Sequence, residues 1–322
     1  MGFLRNLFSS KEPSAEEREQ KRQANDFDVL KYDGIHAMQI GRFAYAIACF
    51  THALEIREDQ ETREHLAIAY IRSDDLESAV DEFSKLSSLI PESLHYPTNK
   101  ANLLYELEEY AESRQLCEEL LERDSGLATA SFILGKISKA EGKLDDAERY
   151  VSDAISKRDN FVEALLFRSE VRYDRGDYAS SLEDLNLLLS NNHDSDEVLL
   201  QKGKVLEAMS KPDEAILYYN NVLNQNPFFI EAYGKLALLY INSGDYSQAE
   251  QVLSDGLEQN GSSSVLVGIR AELKAAQGDA AGAEADRKQA AELKAAEEER
   301  ENEDYDVERE IQERMKSVNP LA

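Results

Sequence analysis

The chain has 322 residues, 42% of them hydrophobic, and sets 64 acidic against 36 basic side chains for a net charge of −28. A field of that sign repels nucleic-acid phosphates and anionic lipid, which excludes both as broad partners and favours basic or neutral ligands. No uninterrupted apolar run is long enough to cross a bilayer, and the length suits two ordinary domains or one long repeat array.

The opening stretch, MGFLRNLFSSKEP, lacks a secretory core because Arg5 and Asn6 interrupt it, and Asn6 stands where a myristoylation signal needs Ser or Thr. Cys49 and Cys117 lie far apart inside helical patterns. They read as free, buried thiols, which fits a reducing compartment and a cytoplasmic protein. Phe3, Leu4, Leu7 and Phe8 would share one side of a helix beside Arg5. Membrane contact through residues 1–8 is one reading of them; a terminus with incidental hydrophobes is the other, and is preferred. Ser14 and Glu17 have capping-box spacing at the head of a charged leading helix, SAEEREQKRQAN.

From about residue 27 the sequence repeats. Ala46, Ala79, Ser113, Ala147, Ser181, Ala215, Ala249 and Ala283 follow one another at a first interval of 33 and then six of 34. Twelve places before each stands another small residue: Gly34, Ala67, Ala101, Gly135, Ser169, Gly203, Ala237 and Ala271. A Gly- or Asp-bearing turn such as GRF, GKL or GDY separates the two columns and breaks the helix between them. Each unit is therefore two antiparallel helices whose small side chains allow close approach. Phe50, Phe83, Leu185, Tyr219 and Leu253, four places after the second column, fill the space left. One hairpin cannot bury its apolar face alone, so neighbours must stack on it, and the expected fold class is an all-α solenoid. The boundaries expected are 1–26 for the tail and leading helix, 27–293 for eight repeats, and 294–322 for an acidic helix and tail. From Lys294 to Lys316 that last segment holds ten acidic and five basic residues. A solvated helix capping the eighth repeat is the preferred account; Val307, Ile311 and Met315 as a stripe for a partner helix is the alternative.

HLAIAY (65–70) and KLALLY (235–240), with AIACF (46–50) and AVDEF (79–83), and Pro91 and Pro227 twelve places after their anchors, resemble the tetratricopeptide repeat. The family's tryptophan is absent, Leu165, Leu199 or Tyr233 standing in its place, and the third and eighth repeats are loose. The resemblance implies a right-handed solenoid whose first helices line a concave, peptide-binding groove.

Catalytic signatures are missing: there is no GxxxxGK[ST], GxGxxG or HExxH, and the five histidines lack ligand spacing. No catalytic residue, metal or cofactor is expected. Dense acids, as in DLESAVDEF (75–83), are expected on solvent-facing positions. The family's groove positions lie 15, 11 and 8 places before each anchor. In the central repeats these are Thr98, Asn102 and Tyr105; Phe132, Lys136 and Lys139; Leu166, Glu170 and Tyr173; and Leu200, Lys204 and Glu207. An apolar line of Phe132, Leu166 and Leu200 edged by Lys, Glu and Tyr has the character of a peptide groove; packing of the same side chains on the adjacent helix is the competing account. The carboxylate clamp of chaperone-binding members is not reproduced. Lys31 matches its first Lys, but Ile35 and His65 replace its asparagines, and His95 and Asn99 stand where Lys and Arg belong. The expected function is a non-enzymatic scaffold binding a peptide segment of another protein. The alternatives are a spacer tethered through its N-terminus, or a self-associating assembly protein.

Overall fold

Helix follows helix through residues 14–316, which the computed structural model describes with side chains up to residue 300. The readings on Phe3, Leu4, Leu7 and Phe8, and on the Val307, Ile311 and Met315 side chains, lie outside the described residues. Among the described residues are sixteen α-helices and no strand. They pair as α1 (Ala15–Gln39) with α2 (Phe43–Ile56), α3 (Gln60–Arg72) with α4 (Leu76–Leu89), and α5 (His95–Glu106) with α6 (Tyr110–Arg123). Then come α7 (Ala128–Ala140) with α8 (Leu144–Lys157), α9 (Val162–Asp174) with α10 (Tyr178–Ser190), and α11 (Asp196–Ala208) with α12 (Pro212–Gln225). The last pairs are α13 (Ile230–Ser243) with α14 (Tyr246–Asn260), and α15 (Ser264–Ala276) with α16 (Ala280–Lys316). The fold is an all-α solenoid of helical hairpins. Two compact units divide it, residues up to Leu116 together with those from Tyr305 on, and Cys117–Asp304; α1 to α5 pack in chain order in the first, and α7 to α15 in the second.

Neither expected end boundary falls at a helix end. Ser14 caps α1 in a reciprocal capping box with Glu17, and the helix runs unbroken into the first hairpin. Likewise α16 continues through residue 294 to Lys316.

The corner of every hairpin is the same device. Five residues before each anchor the backbone turns left-handed, at Gly41, Asp74, Glu108, Gly142, Gly176, Ser210, Gly244 and Gly278, with φ between 58° and 87°. The next residue's N–H then reaches back five places to a carbonyl of the first helix, as in Arg42 to Ala37 and Asp245 to Tyr240, both 2.9 Å. This closure satisfies carbonyls that the helix end leaves orphaned. Asp75, Asp177 and Asp245 then cap the second helix, each accepting from the N–H three residues on.

All sixteen small-column residues are buried. A Cβ added to Gly203 would lie 2.3 Å from Tyr219 Cε1, and one on Gly34 would lie 2.5 Å from Phe50 Cε1. The missing side chain is thus the room in which the ring sits. The two serines of the second column keep the approach close in another way. Ser113 Oγ donates to the Ala101 carbonyl at 2.6 Å and Ser181 Oγ to the Ser169 carbonyl at 2.7 Å, so neither buried hydroxyl is left unpaired. Cys49 and Cys117 are both free and buried.

A polar rung crosses several hairpins, from thirteen places before the anchor to three after. Arg168 donates to both Asp184 oxygens at 2.9 and 2.7 Å, and Arg270 to both Asp286 oxygens at 2.9 Å. Lys202 occupies the same place over the Tyr218 ring, 4.5 Å from its centroid. The expectation that the DLESAVDEF acids face solvent holds for Glu77 and Asp81 and is corrected for the other two: Glu82 is 5% exposed and held by Arg63 and Lys85, and Asp75 is a helix cap. A buried carboxylate needs such partners to stay ionised.

Gly203→Leu should overpack the Tyr219 ring and lower the unfolding free energy by about 1–3 kcal/mol in urea titration, with Tyr219→Ala in the same chain recovering part of the loss. At the corners, where Glu108 and Ser210 hold φ of 59° and 60° without being glycine, Glu108→Gly or Ser210→Gly should each stabilise by about 1 kcal/mol in the same assay.

Candidate functional site

The candidate face is built by the first helix of each hairpin. Positions eleven and eight before the anchor are three apart and share one side of that helix. In unit one this side is apolar. On α1 it carries Ile35 and Met38, half-buried and packed against a core of Ala37, Ile47 and Phe50. On α3, which touches α1, it carries Ile68 and Ile71, 42% and 37% exposed. On α5 the same places hold Asn102 and Tyr105, both half-buried, with the Tyr105 ring 5.7 Å from that of Tyr110. Burial pushes the Tyr105 phenol pKa up. Ile35, Met38, Ile68 and Ile71 were not among the residues expected at the site. The same column count carried to the first two repeats finds them.

In unit two the face is charged and already laced. Lys139 on α7 binds Glu170 at 3.1 Å and Asp174 at 3.3 Å on α9, and its ammonium stands 5.1 Å from the Phe167 ring centroid. Lys204 on α11 binds Glu231 on α13 at 2.6 Å. Lys136 sits 6.0 Å from the Phe132 ring centroid. Glu207 accepts from the hydroxyl of Tyr219 at 2.9 Å. Tyr173 is half-buried with its ring 5.5 Å from Tyr178, and Leu166 is half-buried against the core of the α9–α11 region.

Two residues expected to line the groove do not present themselves there. Phe132 is 4% exposed, with its ring 5.1 Å from Phe161 and 5.5 Å from Phe167. Leu200 is 5% exposed in a cluster with Ala232, Leu236 and Tyr219. At these two places the side chain is covered by the following hairpin, whereas Leu166, in the same column, stays half-buried. Packing on the adjacent helix is therefore the correct account of both. Thr98, in the same column, donates to its own helix at the Leu94 carbonyl.

Lys31, the one match to the carboxylate clamp, is likewise committed inside the protein. Its ammonium donates to Asp59 at 2.9 Å and Glu61 at 2.7 Å. Asp59 also caps α3, accepting from the Thr62 N–H at 3.0 Å and its hydroxyl at 2.6 Å. Burial would raise the Asp59 carboxyl, but the hydrogen bonds from Thr62 and Lys31 outweigh it and bring the pKa down to about 2. Among the described residues no group of three His, Cys, Asp or Glu could hold a metal ion, and no helix is long and apolar enough to cross a membrane.

Hairpins of constant length, registered small columns and uniform left-handed corners define a helical-repeat protein. Sequence profiles described as tetratricopeptide repeat match residues 139–195 and 206–273. Those two segments are similar to tetratricopeptide repeats, and the hairpins on either side share their length and corner geometry. Among solved structures it is similar to a tetratricopeptide repeat protein from Parabacteroides merdae, at 17% identity over 80% of this chain and 99% of that one, with a TM-score of 0.58. It is also similar to PilW, a widely conserved type IV pilus biogenesis factor, at 18% identity over 61% of this chain and 90% of that one, with a TM-score of 0.55. At such identities the likeness concerns the fold. No curated protein matches the chain in sequence.

Asp59→Asn keeps the helix-capping acceptor and removes the charge that Lys31 reads. The folded pKa lies below the unfolded value of 3.8, so the ionic contribution is complete above about pH 4 and is lost as pH falls through about 2. The variant should lose about 2 kcal/mol of unfolding free energy at neutral pH, and denaturant titrations across pH should show the gap to wild type closing between about pH 4 and about pH 2.

Proposed function

We propose that the protein is a non-enzymatic scaffold that holds a peptide segment of another protein against the first-helix face of its hairpins. The observation that carries this reading is the apolar ladder of unit one. Ile68 and Ile71 are substantially exposed beside Ile35 and Met38, in the columns the family resemblance assigns to the groove. Isolated exposed apolar residues need no explanation, but four in two registered columns form a patch that water wets poorly. Asn102 and Tyr105 continue the ladder with a polar group and an aromatic ring, the pairing that gives a peptide register as well as affinity.

Within unit two, Lys136, Lys139, Leu166, Tyr173 and Lys204 form a second strip with a different task. Its cations already have acidic or aromatic neighbours, so a peptide there gains register through polar contacts at the edge rather than through new buried charge. With a net charge of −28, the protein draws in basic or neutral segments and repels acidic ones.

Affinity capture from lysate with Ile68→Asp/Ile71→Asp beside wild type tests the reading. Loss of partner recovery by about tenfold or more is the expected result, since two apolar contacts become charged. Equal recovery, with circular dichroism showing both proteins folded, rejects the assignment.

A further inference from the structure

On the first-helix face of unit two, most acids are already answered by a cation. Glu170 and Asp174 share Lys139, at 3.1 and 3.3 Å, and Glu231 takes Lys204 at 2.6 Å. Glu207 is different. It stands eight places before its anchor Ala215, as Tyr173 stands eight before Ser181, so the two occupy one column on α11 and α9, helices that touch each other. Among the described residues no cation lies within ion-pair distance of Glu207. Its Oε2 accepts from the Tyr219 hydroxyl at 2.9 Å, which leaves Oε1 to a ligand. A half-buried carboxylate with a neutral donor has given up water without gaining a counter-charge. Two rings stand near it. Tyr173 and Tyr178, both half-buried, have centroids 5.5 Å apart with their planes tilted by 53°. Burial first, then Tyr178, Glu207 and Asp174, push the Tyr173 phenol pKa up. Burial and Glu207 do the same to Tyr219. Both phenols thus stay neutral and lie in the field of one carboxylate.

We propose, resting on the reading that this face holds a peptide, that Glu207, Tyr173 and Tyr178 receive one of its basic side chains, arginine or lysine. A cation over a tyrosine face is attracted by the ring's quadrupole, and an N–H from it to Glu207 Oε1 makes a charge-assisted hydrogen bond. Arginine fits best, because its planar guanidinium lies on a ring and donates from its edge at the same time. The site is half-buried rather than closed, so the cation keeps part of its water and its desolvation cost stays small. The protein's own cations do not compete. Lys204, one turn before Glu207 on α11, is drawn to Glu231, and Lys139 to Glu170 and Asp174. An acidic side chain is refused by Glu207 itself, and the net charge of −28 concentrates cations around the whole chain. The site therefore fixes one point of register, a basic residue of the peptide, which the apolar ladder of unit one has no means to select.

Titration of the full chain with N-acetyl-arginine methylamide and with its neutral citrulline counterpart tests the site, the ring signals of Tyr173 and Tyr178 being read by NMR. The arginine probe should shift both rings saturably. Citrulline keeps the shape and loses the charge, and should bind more weakly by about tenfold or more. Glu207→Gln keeps an acceptor for the Tyr219 hydroxyl and should weaken arginine binding by about tenfold. Rings that do not move, citrulline that binds as well as arginine, or a Glu207→Gln chain that binds arginine like wild type overturns the proposal. The titration needs no partner protein, so a failed peptide reading shows in the capture experiment and a failed basic site shows here.

Discussion

The structure depends on how closely two helices of a hairpin can approach. That distance is set by sixteen small residues in two columns, and nothing larger than serine is admitted to either. Where the first column is glycine, Phe50, Val151 or Tyr219 from the second helix occupies the vacated space; where it is alanine or serine, the fillers include Phe83, Leu253 and Leu185. The hydroxyls of Ser113 and Ser181 fit the same gap because a carbonyl across it accepts them. The left-handed corner between the columns is the other half of the constraint, since it fixes which faces of the two helices meet. Three of the eight corners reach it without glycine, so the closure bonds and the packing outweigh the preference of a side chain for other backbone conformations.

What was legible in the sequence was whatever a single hairpin decides by itself. The small columns, the fillers four places on and the corner residues lie within twenty residues of one another, and each was visible as a recurring interval. The proposed groove face was less legible because its exposure is decided between hairpins. Phe132 is buried by Phe161 and Phe167, twenty-nine and thirty-five residues later, and no pattern within its own repeat announces two more rings. Leu200 is buried by residues of α13 for the same reason. Lys31 and Lys139 look like free donors in a one-repeat reading, yet each finds its acids on the following hairpin. Glu82 was hidden similarly: an acid three places after its anchor is solvent-facing by helical periodicity, unless an arginine on the partner helix draws it in. The unexpected ladder of Ile35, Met38, Ile68 and Ile71 was within reach of the same columns, applied to the first two repeats.

The two units present the same register with different chemistry. Unit one exposes aliphatic surface, with its Lys31 cation drawn aside to Asp59 and Glu61. Unit two spends Lys139 and Lys204 on contacts from one first helix to the next. A strongly acidic protein thus keeps many of its positive charges engaged at hairpin junctions, leaving the acids as the majority of its outward field.

That arrangement of Lys139 and Lys204 has an evolutionary corollary. Each lysine stands at once on the face proposed to hold a peptide and in the joint between neighbouring hairpins. A substitution that retunes ligand choice there also alters how stiffly successive modules are joined. In unit one, by contrast, Ile68 and Ile71 carry no charge, so a change there leaves the ion pairs between hairpins untouched. Ligand choice and the stiffness of the array are thus coupled in unit two and separable in unit one.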